Sequence, residues 1–192
     1  INALTSPRGA ESIVAIGRNA GRHITKSSQS GVYSVLIGNN TNYNNTGGSQ
    51  NIAIGWNVGG ASSAAQTNAV MIGFRAADAG PGPTNSIVIG TSVFGGVSGN
   101  HPQYVTAVGQ QALYGSASTT TGINGSVAIG HQSLYSITTG TNVAMGYQSG
   151  YSINSGTQNT LIGYQSGYNV TTGTNNTAVG YQSLKAITSA AG

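Results

Sequence analysis

The chain has 192 residues, of which six are Lys or Arg and two are Asp or Glu, for a formal charge of +4. So few ionisable groups leave little material for acid–base catalysis or a continuous basic track for nucleic acid, and the weak net charge does not favour an expanded, disordered chain. Glycine fills 31 positions, about twice its usual share of roughly 7%, and the lack of cysteine excludes a disulfide framework and thiolate metal sites.

The opening stretch "INALTSPRGAES" has neither an initiator Met nor a charged-then-apolar leader. Residues 1–10 are expected to be a lead-in from a longer polypeptide, with a repeat domain over 11–192. No apolar run approaches the roughly 18 residues of a membrane helix, so no membrane insertion is expected in this segment.

From there a short phrase recurs, an apolar triplet closed by glycine. The closing glycines are Gly17, Gly38, Gly55, Gly73, Gly90, Gly109, Gly130, Gly146, Gly163 and Gly180, separated by 16 to 21 residues. A period this short indicates a solenoid rather than a string of small domains. The expected fold is therefore all-β, a parallel β-solenoid of about ten coils with a repeat near 17 residues. The coils over 94–125 are looser, stretched by "GGVSGNHP" and "YGSASTTTGINGS". Those over 126–192 are the most regular.

The triplet reads as a short strand. Ile16, Ile37, Ile54, Ile72, Ile89, Val108, Ile129, Met145, Ile162 and Val179 precede the glycines and share one face with the residue two earlier, such as Val14 or Val143. Most are β-branched, and this face is expected to be the core inside the coil. The residues between them, Ala15, Leu36, Ala53, Met71, Val88, Ala107, Ala128, Ala144, Leu161 and Ala178, point the other way and are also apolar. A strand apolar on both faces must be covered on both, so this second face is expected to meet sister chains in a homo-oligomer.

After each glycine, "YQS" at 147–149, 164–166 and 181–183 is expected to form a second short strand. It leads into bends rich in Gly, Asn, Ser and Thr, which tolerate positive φ or bond the turn backbone. Stacking of like on like would set Gln111, Gln132, Gln148, Gln165 and Gln182 in an amide ladder. Trp56, Phe74, Tyr147, Tyr164 and Tyr181 recur just after the glycine, and Tyr114, Tyr135, Tyr151 and Tyr168 four residues later. Of these, Trp56, Tyr147, Tyr164 and Tyr181 are candidates for binding a glycan at the surface, although packing on one another between coils is the favoured reading.

The search for chemistry yields no catalytic, cofactor-binding or metal site. Glu11 and Asp78 are the only carboxylates and fall on different coils, so they do not make an acid–base pair. His23, His101 and His131 show no ligand spacing, and neither a nucleophile elbow nor a phosphate loop is present. Arg8, Arg18, Arg22 and Lys26 cluster near the start, but Arg75 and Lys185 are isolated. A locally solvated face, with no nucleic-acid partner, is the expectation. Sequons at Asn39, Asn44, Asn169 and Asn175 are what an Asn/Thr-rich repeat produces by chance.

The phrases "TTGTNNTAVGYQSL" and "NVAMGYQSGY" resemble repeats of bacteriophage tail-fibre proteins, especially long fibres that end in an intramolecular chaperone domain. "SVAIG" at 126–130 is also similar to the head repeats of trimeric autotransporter adhesins. The resemblance implies a homotrimeric, left-handed β-roll, located outside the cell on a virion fibre, with host attachment as its role and a host-surface glycan or protein as the receptor. The alternative it implies is a bacterial adhesin head that holds matrix or cell surfaces; the spacing near 17 is longer than adhesin heads generally use and favours the fibre. A third class, an ice-binding solenoid, is disfavoured because the threonines gather in irregular turns instead of a flat array.

Overall fold

A computed structural model describes residues 12–24, 33–45, 47–60, 66–78, 80, 82–96, 102–115 and 122–188. The lead-in segment, Arg8, Glu11, Lys26 and His101, and the middles of both lengthened loops lie outside the described residues.

The chain winds as a β-solenoid built on a single parallel sheet, with no helix among the described residues. Its ten strands are β1 (Val14–Ile16), β2 (Val35–Asn39), β3 (Ile52–Trp56), β4 (Val70–Phe74), β5 (Ile87–Ile89), β6 (Thr106–Val108), β7 (Val127–Ile129), β8 (Val143–Met145), β9 (Thr160–Ile162) and β10 (Thr177–Val179). They lie side by side in sequence order. Each apolar triplet supplies one strand, and the register sets like on like: Ala128 pairs with Ala144, and Ala144 with Leu161.

The closing glycine of each triplet that has a following circuit satisfies two needs at once. Gly130 has φ 129° and Gly146 has φ 137°, a region that side chains disfavour. A Cβ on Gly130 would also collide with the carbonyl oxygen of Gly146, the equivalent glycine one circuit on. The chain can therefore turn out of the strand while consecutive backbones stay at ladder distance.

The expected second strand does not form. Tyr147 to Ser149 and its equivalents belong to turns, with Gln148, Gln165 and Gln182 at φ 51° to 52°. Backbone in that region cannot pleat. The return leg is nevertheless stitched to its neighbours by main-chain bonds between circuits, such as Gln148 N–H to the His131 carbonyl (2.8 Å) and Ser152 N–H to the Tyr168 carbonyl (3.1 Å). Buried turns thus keep their backbone groups paired without becoming strands.

The two faces of the strand are exchanged relative to the sequence expectation. Leu36, Ala53, Met71, Val88, Ala107, Ala128, Ala144, Leu161 and Ala178 are buried inside the coil, and Ala15 is partly buried against the same core. Ile16, Ile37, Ile54, Ile72, Ile89, Val108, Ile129, Met145, Ile162 and Val179 point outward, half-buried to exposed; Ile16 is 58% exposed. The reason is geometric. In a three-residue strand that bends at both ends, the central residue faces the return leg and the outer two face away. The narrow space between strand and return leg, which Leu113, Leu134, Ile137, Ile153 and Val170 also enter, is what selects alanine at six of the ten central positions.

The interior carries polar ladders as well. Asn159 Nδ2 donates to Asn142 Oδ1 (2.9 Å) and Asn176 Nδ2 to Asn159 Oδ1 (2.9 Å), while Asn142 and Asn159 also donate to the carbonyls of Gly156 and Gly173. Ser133, Ser149 and Ser166 donate to the carbonyls of Ala144, Leu161 and Ala178. Each such bond prevents the penalty of about 1–3 kcal/mol that an unpaired buried polar group carries.

Candidate functional site

Three surface features arise from stacking one register position on the next. The first is the outward sheet face. Val14, Ile16, Ile52, Trp56, Phe74, Ile87, Met145, Tyr147, Tyr164, Val179 and Tyr181 all lie on it and are exposed. They occupy three columns, set by the residues three and one before the closing glycine and one after it. Arg18 is the one charged residue in these columns. Ten strands at about 4.8 Å and a width of four residue steps give this face roughly 600 Å², in which Asn39, Thr91, Gln110 and His131 interrupt the apolar columns.

The second feature is a pair of amide ladders two residues after the glycine. Gln132, Gln148, Gln165 and Gln182 each donate Nε2 to the Oε1 of the glutamine one circuit earlier, beginning at Gln111, at 2.9–3.0 Å. The expected ladder therefore exists. Nearer the start, asparagine takes the same place, in the opposite sense: Asn19 Nδ2 donates to Asn40 Oδ1 (2.9 Å) and Asn40 Nδ2 to Asn57 Oδ1 (2.8 Å). Arg75 and Ser92 occupy this column between the two runs and interrupt it.

The third feature is the aromatic stacking. Tyr147, Tyr164 and Tyr181 stack at centroid distances of 5.2 and 5.3 Å, with His131 against Tyr147. Trp56 stacks on Phe74 at 4.8 Å. Tyr114, Tyr135, Tyr151 and Tyr168 form a second column at 5.0–5.1 Å. The candidate glycan binders Trp56, Tyr147, Tyr164 and Tyr181 are thus engaged face to face, and each retains an outward edge.

That second column, five residues after the glycine, is not aromatic throughout. Traced from the start it reads Arg22, Tyr43, Gly60, Asp78, Gly95, Tyr114. Gly60 leaves a hollow between the ring of Tyr43 and the carboxylate of Asp78, a cavity of about 360 Å³ lined also by Asn40, Asn44 and Asn57. Asp78 Oδ2 accepts from Arg75 Nε at 2.8 Å, and a Cβ at Gly60 would stand 3.4 Å from its other oxygen, Oδ1. His23 braces Tyr43 edge-on at 5.3 Å. Sequence reading missed this hollow, although the change of residue type in two columns at the same circuit marks it.

No group of three His, Cys, Asp or Glu side chains converges as a metal site among the described residues, and no helix among them is long and apolar enough to cross a membrane. Arg18 and Arg22 both follow β1. Comparison with protein-family models, curated proteins and solved structures finds no match.

Proposed function

We propose that this chain is a structural segment of an extracellular attachment fibre, a left-handed roll of about ten coils that assembles as a homotrimer through its outward sheet face. The observation that carries the reading is the single-sided exposure of Val, Ile and aromatic side chains along the whole sheet. A partner that covers such a stripe must match its strand repeat and its length, and a second copy of the chain does both. The one charge in the three columns, Arg18, follows the end strand β1, so repulsion between identical copies is confined to one end of the stack. Roughly 600 Å² covered per copy is at the lower end of the ~800 ± 200 Å² per partner of a standard interface.

The tail-fibre role comes from the resemblance of "NTAVGYQSL" and its neighbours to phage fibre repeats; the stacked ladders, which repeat without catalytic groups, suit a spacer that transmits reach. An adhesin head is the second reading, favoured by "SVAIG" alone. Sedimentation of the native protein tests the assembly: a folded species of three times 19.2 kDa is expected, and a stable folded monomer at micromolar concentration overturns it.

A further inference from the structure

We infer that the hollow at Gly60 is a carbohydrate-binding site that takes one pyranose unit of a surface glycan. The cavity lies where two columns lose their regularity together. The asparagine ladder ends at Asn57, whose Oδ1 is occupied by Asn40. Its Nδ2 has no amide oxygen to meet in the next circuit, because Arg75 stands there and a guanidinium accepts nothing. On the facing column Gly60 provides the space, Tyr43 one wall and Asp78 the other. The chain's single described ion pair holds Asp78 by Oδ2 alone, which leaves Oδ1 directed at the hollow.

These groups define a ligand. A carboxylate oxygen calls for a donor and an amide N–H for an acceptor, and adjacent sugar hydroxyls are both at once. The charged acceptor strengthens the first of these bonds. A tyrosine ring offers an electron-rich face to the polarised C–H groups of a pyranose. About 360 Å³ is within the roughly 300–1,000 Å³ of small-ligand sites and suits one ring with its hydroxyls. A metal ion fits less well, since one carboxylate among neutral groups is a poor donor set. The residues lie on a corner of the solenoid rather than in the apolar columns, so self-assembly through the sheet face and binding at the hollow are compatible.

This deepens the attachment reading and rests on it for its biological purpose, whereas the binding itself does not require assembly. The test is saturation-transfer NMR of the native protein with free hexoses and N-acetylhexosamines, followed by a printed array of bacterial-surface and mammalian glycans. Transfer to at least one sugar is expected, reduced at least tenfold in Asp78→Asn, which keeps the shape, and in Gly60→Leu, which fills the hollow. Gln165→Ala, remote from the cavity, should bind as the parent does. Circular dichroism of each variant separates lost binding from lost fold. No transfer to any sugar, equal binding in both hollow variants, or binding only of a lysine-bearing peptide overturns the assignment. A monomer that binds sugar sinks the trimer and leaves the site, and a trimer that binds none does the reverse.

Discussion

Leu161 fills the space that Gly167 leaves: a Cβ at Gly167 would stand 2.7 Å from Leu161 Cδ1. The pairing recurs in five of the ten circuits, whereas Ala15 and Ala53 are followed six residues later by Gly21 and Gly59, Leu36 by Asn42 and Val88 by Phe94. Where the strand centre is alanine, as at Ala107, Ala128 and Ala178, the residue six later is leucine, at Leu113, Leu134 and Leu184; where it is large, as at Leu161 and Met71, the partner is Gly167 or Ala77. Gly150, paired with Ala144, lies between Leu134 and Leu161 and meets both.

A size swap tests this rule. Leu161→Ala opens a cavity and should cost about 2–4 kcal/mol, and Gly167→Leu overfills the coil for about 1–3 kcal/mol. The double variant recreates the Ala128/Leu134 arrangement, and Leu134 already adopts φ 50° at that register position. Denaturant melts of the cycle should show the double variant more stable than either single one. Additive losses would mean that the two side chains do not share a space.

The same relationship explains which parts of the fold were legible. Periodicity gave the strands, the glycine turns and the Gln111 to Gln182 ladder, because each depends only on like stacking on like. It did not decide which face is inside. Alternation separates Ala128 from Val127 and Ile129 but assigns no direction, and small side chains suit a narrow interior as well as a close neighbour. The deciding fact was the leucine or glycine six residues later, a pairing across the coil. The tyrosine–glutamine–serine turns read as strands in the sequence because β-compatible residues in a row do not reveal that Gln148 sits at positive φ. The hollow at Gly60 was hidden for another reason: it is defined by breaks in two columns, and periodicity reports only what repeats.

Asn42 is a local defect that can be repaired. It is fully buried, and neither end of its amide has a partner, nor does Gln66 Oε1 close by; a Cβ at Gly59 would stand 3.3 Å from Asn42 Oδ1 and 2.6 Å from Gln66 Oε1. The register equivalent Ala77, which follows the large Met71 as Asn42 follows Leu36, shows that alanine is accepted at φ 54°. Asn42→Ala should raise stability by about 1 kcal/mol, because the unsatisfied amide is removed. A fall in the denaturation midpoint would show that the amide is satisfied in solution, by a trapped water among others.

Ile129 separates assembly from folding. It points outward on β7, half-buried, so Ile129→Asp places a charge on the sheet face rather than in the core. The coil should keep its circular dichroism spectrum while sedimentation shows dissociation, because each copy would bring a like charge to the shared axis and leave it desolvated. Unchanged mass would remove the sheet face from the interface. Loss of the fold with loss of mass would show that the coil is stable only when assembled.

The tyrosine column carries a pH signature. Tyr151 is held above its usual 10.0 by burial first, and then by the phenolates that form at Tyr135 and Tyr168 on either side of it. The folded state therefore keeps the Tyr151 proton more tightly than the unfolded chain does. Stability is fully present below the unfolded value near 10, and is lost as pH rises from there through the folded value. Melting temperature should be flat up to about pH 9.5 and fall beyond it, and phenolate absorbance should show one tyrosine titrating late. Replacing Tyr135 and Tyr168 by phenylalanine removes the neighbouring charges and keeps the stack, so Tyr151 should titrate earlier while burial holds it above 10. If the late tyrosine is unmoved by both substitutions, the column does not couple electrostatically, and its stacking at about 5 Å acts through packing alone.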